Sequence, residues 1–272
     1  MSIAIVGAGN LGGAVAAGLV ASGAVDAADL RCVTRTEEGA ARLRARPGLG
    51  DVAVTHDAAA AVAGADVVML GVKPYTVLDL LTQLRGHLVP GVTIVSLAAG
   101  VGLDDLTAAA PDGAAVVRLM TNTPVQVRAA VSLVAAAPDV DADTLARVVA
   151  LSDALGTTHV IDEALFDAGT ALAGSGPAYV FLLVELLRDA GVALGLDADA
   201  AVAMATGVLD GAARLLAASD GDPVALRRAV TSPGGMTAAA VGVFEDAGLR
   251  GTVVDALAAA VARAAELKAP PA

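Results

Sequence analysis

Gly7-Ala8-Gly9-Asn10-Leu11-Gly12 places three glycines at the spacing of a phosphate-binding turn. In such a turn the first glycine permits a sharp reversal and the second lets backbone approach a pyrophosphate. The third lets the following helix pack on the preceding strand. The string follows the β-branched run at residues 3–6 and opens an Ala-rich run at 10–22. A helix starting there directs unpaired N–H groups and a partial positive charge at the phosphates. Gly7, Gly9, Asn10, Leu11 and Gly12 are therefore candidate cofactor contacts. A second string, Ser232-Pro233-Gly234-Gly235-Met236-Thr237, also precedes a helical pattern. The N–H groups of Gly235, Met236 and Thr237 would converge there on an anion, with no need of an arginine. Read alone, the same string is a helix-opening turn with a threonine cap.

Behind the second β-branched run, an NAD-binding chain carries an Asp or Glu for the ribose 2′-hydroxyl. This chain has Thr34-Arg35-Thr36, whose hydroxyl and guanidinium groups suit a 2′-phosphate. NADPH is therefore expected in preference to NADH, with Thr34 and Arg35 as contacts, although Glu37 and Glu38 follow closely. Two more loops fall at strand C-terminal ends, where parallel sheets bind their ligands. They are Val72-Lys73-Pro74 and Ser96-Leu97-Ala98-Ala99-Gly100, and Lys73 shares the chain with only one other lysine, Lys268. His56, His87 and His159 lack metal-ligand spacing, so each reads as a surface or packing residue and no metal is expected.

These residues need a scaffold, and the first half of the chain alternates short apolar runs with Ala-rich helical ones. Residues 3–6, 30–34, 67–70, 92–96 and 115–118 read as strands buried on both faces. Helical segments are expected near 10–22, 37–46, 75–85 and 104–109. Residues 131–136 and 159–161 read as edge strands around a helix at 142–155. The alternation predicts an α/β fold, a Rossmann-type, doubly wound parallel sheet, over residues 1–161. From Asp162 the pattern changes to long amphipathic segments punctuated by Gly and Pro. Residues 162–272 are accordingly expected to form an all-helical C-terminal domain.

Composition narrows the classes further. Apolar residues make up 56% of the 272, mostly Ala and Val, with no Trp, two Tyr and three Phe. Small side chains favour close approach between elements. The formal net charge of −12 argues against nucleic acid or an anionic membrane as a partner. A membrane span needs about 20 continuous apolar residues, and the apolar runs here are interrupted by Gly, Pro or charge, so a soluble chain is expected. Because the first strand runs straight into the glycine turn, no secretory leader is expected and the location is expected to be cytoplasmic. The single cysteine, Cys32, excludes an internal disulfide and reads as a small core filler.

Several strings together resemble the pyrroline-5-carboxylate reductase family. Val230-Thr231-Ser232-Pro233-Gly234-Gly235-Met236-Thr237, followed by Glu245 and Gly248-Leu249-Arg250, resembles its signature segment. Ala173-Gly174-Ser175-Gly176-Pro177-Ala178-Tyr179, with Glu185, resembles the opening of its long helix. Val72-Lys73-Pro74, residues 96–100 and residues 118–124 fall in the family's order, so the resemblance spans essentially the whole chain. It departs at Thr121, where the family has a proline, and at Ala58, where an Asn commonly meets the cofactor ribose.

The resemblance implies hydride transfer from NADPH or NADH to the cyclic imine 1-pyrroline-5-carboxylate, giving L-proline in the last step of proline biosynthesis. It implies that Gly234, Gly235, Met236 and Thr237 bind substrate. Thr237 and Ser232 would be the catalytic pair, the Thr237 hydroxyl meeting the ring nitrogen, and Asn122 would join the cofactor-binding set. It also implies a homodimer with interleaved helical domains, assembling further into a ring-like decamer. The alternatives are another cyclic-imine reductase or a hydroxyacid dehydrogenase of the same plan, or a non-catalytic nucleotide-binding protein. Such dehydrogenases usually present a Lys from the helical part, and this chain has none between Lys73 and Lys268. A pure nucleotide binder has no need of an intact 232–237 loop.

Overall fold

The computed structural model describes residues 1–268. The chain divides into two compact units, one comprising Met1–Ser175 with residues 260–268, the other Gly176–Ala259. In the first unit, β1 (Ile3–Val6), β2 (Leu30–Val33), β3 (Ala53–Thr55) and β4 (Val67–Leu70) share one sheet with β5 (Thr93–Ser96), β6 (Ala115–Met120), β7 (Ala130–Ala136) and β8 (Gly156–Val160). Their order across the sheet is β3-β2-β1-β4-β5-β6-β7-β8. The helices of this unit are α1 (Asn10–Ala21), α2 (Glu37–Arg44), α3 (Ala58–Val62), α4 (Pro74–Leu84), α5 (Leu103–Ala109), α6 (Ala142–Asp153) and the short α7 (Phe166–Gly169).

β1 and β4 are buried along their whole length, and successive strand residues point to opposite faces. Ile3, Ile5, Val67 and Met69 share a core with Val15 and Leu19 of α1 and Leu151 of α6. Ala4, Val6, Val68 and Leu70 share another with Val62 of α3, Leu81 of α4 and Leu106 of α5. Helices therefore cover both faces, the doubly wound arrangement expected from the alternating runs.

β7 runs antiparallel to β6, while the other neighbouring strands pair parallel. A parallel neighbour needs a crossover of about a dozen residues or more. The link between β6 and β7 is shorter, and it is spent on the 3-10 turn Thr123–Val127 and on Arg128 at φ 54°. The sheet is thus parallel from β1 to β6, with a reversed pair at one edge. β3 and α3 have no counterpart in the sequence reading, because three and five residues are too few to show a period. The last strand begins at Gly156, ahead of the expected 159. The segment after β8 stays with the sheet: Phe166 is buried in the same core as Met120 and Leu133.

The second unit is helical, with α8 (Gly176–Ala193), α9 (Ala198–Ala217), α10 (Pro223–Ala229), α11 (Met236–Asp246) and the first part of α12 (Leu249–Lys268). Asp197 and Asp222 start α9 and α10 by accepting the N–H groups of Ala200 and Ala225 at 3.1 and 3.2 Å. Small residues let α8 and α9 approach closely: a Cβ at Gly191 would lie 3.2 Å from that of Ala201. Among the described residues of this unit, burial is confined to Gly191, Ala201 and Ala205. Phe181 is 64% exposed and Val208 66%, an apolar surface of the kind that marks association. By length and composition alone, two stretches, Glu163–Ala193 and Ala198–Ala217, could cross a membrane.

Candidate active site

Parallel register aligns the ends of the central strands. Val6 pairs with Val33 and with Leu70, Leu70 with Ser96, and Ser96 with Arg118. The loops that follow these positions therefore emerge along one edge of the sheet, where such sheets bind ligands. The glycine turn is held there by its neighbours: Gly7 and Ala8 donate to the Val33 carbonyl at 3.1 and 2.9 Å, and Gly71 donates to Val6 at 2.8 Å.

Gly7 has φ 94°, and a Cβ on it would fall 2.7 Å from the Gly71 carbonyl carbon. A Cβ at Gly12 would fall 2.5 Å from the Gly7 oxygen, so this glycine lets α1 pack on the turn. At Gly9 the same test meets nothing within 4 Å, which leaves backbone open to a ligand. α1 starts at Gly9 without a side-chain cap, and Gly13 is the first residue to donate back, at 2.9 Å. The N–H groups of Asn10, Leu11 and Gly12 are left for an anion, and the turn fits a dinucleotide pyrophosphate.

Beside it, Thr34 is buried and Arg35 is exposed with no hydrogen bond or ion pair among the described residues. The two carboxylates that follow are engaged elsewhere. Glu38 pairs with Arg42, and Glu37 pairs with Arg44 at 3.1 Å and His56 at 3.2 Å. Hydrogen bonds from His56 and then Arg44 hold the Glu37 carboxyl below its usual range. Arg35 is therefore not neutralised by its acidic neighbours.

The next loops complete the edge. Lys73 is the exposed N-cap of α4, with Pro74 at its first position, and its carbonyl accepts the Thr76 hydroxyl at 2.8 Å. Val72 is half-buried. Ala98 is buried, Ala99 exposed, and Gly100 takes φ 76°. Asn122 is buried and uses both ends of its amide within the fold: Nδ2 donates to the Ala173 carbonyl at 3.0 Å, and Oδ1 accepts the Val131 N–H at 3.1 Å. Its amide acts as a brace between β6, β7 and the turn before α8. Thr121, which replaces the family's proline, is buried, and its oxygen accepts the Ser132 hydroxyl at 3.0 Å. The extra polar group is thus satisfied.

In the second unit, Ser232-Pro233-Gly234-Gly235 forms a tight turn closed by Gly235 N–H donating to the Ser232 carbonyl at 3.1 Å, with Gly234 at φ 70°. Pro at the second position and a left-handed glycine at the third are the demands of a type II turn. The Gly235 N–H expected for an anion is spent in this turn. Gly235 is instead the N-cap of α11, with no side-chain cap, and Ala239 is the first residue to donate back to it, at 3.1 Å. The unspent donors are those of Met236, Thr237 and Ala238. Thr237 is exposed, and its hydroxyl makes no hydrogen bond among the described residues, so it does not cap the helix. Glu245 of α11 ties the loop's flanks, lying 3.8 Å from Arg227 of α10 and 2.6 Å from Arg250 of α12.

Sequence reasoning missed two polar clusters. One joins Arg118 of β6 to Glu163; the other surrounds His56. Each pairs residues far apart in the chain, and the only local signal was a lone arginine inside a strand.

A Rossmann-type sheet bearing this turn, followed in the chain by helices with an uncapped glycine–proline loop, defines a two-part nicotinamide-nucleotide oxidoreductase. Residues 2–100 match the family model for NADP oxidoreductases, coenzyme F420-dependent, and residues 163–267 that for pyrroline-5-carboxylate reductase dimerisation. The pyrroline-5-carboxylate reductase of Pseudomonas aeruginosa is 40% identical over 266 residues, 97% of this chain and 96% of its own. That of Corynebacterium melassecola is 36% identical over 98% of both chains. The solved pyrroline-5-carboxylate reductase structure from Coxiella burnetii matches with a TM-score of 0.91 at 33% identity, covering 99% of each chain. The chain belongs to the pyrroline-5-carboxylate reductase family.

Proposed function

We propose that the chain reduces 1-pyrroline-5-carboxylate to L-proline, the last step of proline biosynthesis, with NADPH in preference to NADH. Residues 1–161 bind the dinucleotide through Gly7, Gly9, Asn10, Leu11, Gly12, Thr34, Arg35 and the loops at residues 72–74 and 98–100, with Asn122 bracing the edge. Residues 162–272 hold the substrate and a second copy of the chain. When bound, the reduced nicotinamide supplies a hydride to the imine carbon.

The chain's own residues hold and orient the imine. A protonated cyclic imine is already electrophilic, so positioning contributes more than acid–base chemistry. The N–H groups of Met236, Thr237 and Ala238 hold the carboxylate at the positive end of α11. The Thr237 hydroxyl accepts the ring N–H, and Ser232 lies in the same loop. As the hydride adds to carbon, the C=N electron pair moves to the nitrogen, which keeps its proton. No residue from Ser232 to Thr237 titrates near neutrality, so the proton arrives with the substrate.

The observation that carries this reading is the uncapped start of α11 beside an unspent Thr237 hydroxyl. The exposed apolar faces of α8 and α9 support a homodimer that covers them; assembly of such dimers into a decamer, in the cytoplasm, belongs to the same reading. The net charge of −12 weighs against a nucleic-acid partner. The test is NADPH oxidation with 1-pyrroline-5-carboxylate, set against a piperideine carboxylate and a panel of hydroxyacids. Turnover confined to the hydroxyacids would overturn the reading.

A further inference from the structure

His56 lies outside every motif that pointed to function, yet it contacts the turn read as the 2′-phosphate site. It follows β3, whose Thr55 pairs with Val33 of β2 and accepts the Thr34 N–H at 3.1 Å. Its Nδ1 is 2.8 Å from the Thr34 carbonyl oxygen and its Nε2 is 3.2 Å from Glu37 Oε2. A carbonyl only accepts, so Nδ1 carries a proton. A neutral ring would then turn a bare Nε2 lone pair toward a carboxylate. Only an imidazolium donates at both positions, and the geometry is that of the charged ring.

Its charged surroundings are few. From α2 come Glu37 and, behind it, Arg44, 3.1 Å from the other Glu37 oxygen. From the β2–α2 turn comes Arg35, which has no partner among the described residues. From its own loop comes Asp57, whose carboxylate accepts the Ala60 N–H at 3.0 Å. Hydrogen bonds to Thr34 and then to Glu37 raise the pKa of His56 above its ordinary value. Glu37 is also the acid nearest the end of β2; Arg44 of α2 holds its Oε1, while among the described residues His56 alone holds its Oε2, and Glu38 is tied to Arg42. A carboxylate in that region is what recognises a ribose 2′-hydroxyl and repels a 2′-phosphate.

We propose that His56 is a positioning residue that sets cofactor preference. As an imidazolium it holds Glu37 away, leaving Thr34 and Arg35 to a 2′-phosphate; as a neutral ring it releases Glu37, which repels the phosphate and accepts a 2′-hydroxyl instead. The inference rests on the reading of Thr34-Arg35 as the phosphate contact. Preference for NADPH over NADH therefore falls as pH rises through the titration of His56. The 2′-phosphate itself gains charge with rising pH, its second ionisation lying near pH 6, and so acts in the opposite direction.

The experiment titrates NADPH and NADH onto the full-length protein by nucleotide fluorescence at constant ionic strength, in steps from about pH 6.5 to 9, the range above the ordinary histidine value. Free substrate is absent, so the result does not depend on the imine reaction. The ratio of the two affinities is expected to fall about two- to fivefold, the scale of an exposed charge contact. His56→Gln should flatten that slope, and Glu37→Gln should keep NADPH preference high throughout. An NMR titration of the His56 ring should follow the same midpoint. A slope absent from the parent protein, or unchanged in His56→Gln, would overturn the proposal. Arg35→Ala separates the two readings: if it keeps the parent's NADPH preference, the phosphate contact lies elsewhere, whatever His56 does.

Discussion

The Arg118 guanidinium donates to Glu163 Oε1 across 2.6 Å, and the same oxygen accepts the Leu103 backbone N–H at 3.1 Å. Arg118 is 2% exposed, and its guanidinium carbon lies 3.9 Å from the centre of the Phe166 ring. One carboxylate thus joins β6, the first turn of α5 and the segment that follows β8. Leu103 ends the loop that begins at Ser96, so the pair also anchors one side of the nucleotide edge.

Breaking that pair leaves a buried guanidinium without its counter-charge. Glu163→Ala is expected to cost about 2–4 kcal/mol of unfolding free energy, below the fully buried limit because Glu163 is partly solvated. Glu163→Gln, which can still accept from Leu103, should cost roughly half as much. Urea denaturation of the three proteins checks this, and a loss under about 0.5 kcal/mol for the alanine variant would show that the pair is idle.

Arg35 stands free because Glu37 and Glu38 are held by Arg44, His56 and Arg42. Arg35→Ala should therefore weaken NADPH by about 1.5–3 kcal/mol, roughly 10- to 150-fold, and leave NADH binding nearly unchanged. Dissociation constants for both nucleotides at neutral pH decide it. Equal weakening of both would mean that Arg35 acts through the fold rather than on the phosphate.

Thr237→Ala should remove one substrate hydrogen bond while leaving the turn and α11 intact, since Gly235 and not Thr237 begins the helix. kcat/KM is expected to fall by about 1–3 kcal/mol, or roughly 5- to 150-fold, with NADPH affinity and melting temperature unchanged. Thr237→Ser should recover most of the loss. Full activity in the alanine variant would refute the contact with the ring nitrogen.

The helices of the second unit leave Phe181, Val208 and Val243 more than half exposed. Analytical ultracentrifugation should find dimers or larger species at micromolar concentration, and Phe181→Asp should shift the distribution toward single chains. An active monomer would contradict the proposed association.

Residue order had already settled the features that depend on neighbours along the chain. Three glycines behind a β-branched run specify a tight turn, because only glycine tolerates the backbone approach at Gly7 and Gly12. The buried strands and the Ser232–Thr237 loop were legible for the same reason: a period or a turn string is local. Contacts made across the fold were not legible. Arg118 meets Glu163, Asn122 meets Ala173, and His56 meets Glu37 only because strand register and helix packing bring distant residues together. The reversal of β7 depended likewise on a link too short for a crossover, and the spending of the Gly235 N–H on a turn closure depended on backbone angles. Local pattern records a residue's periodicity and conformational cost. Which side chain neutralises which, and which donors stay unspent, is decided by three-dimensional proximity.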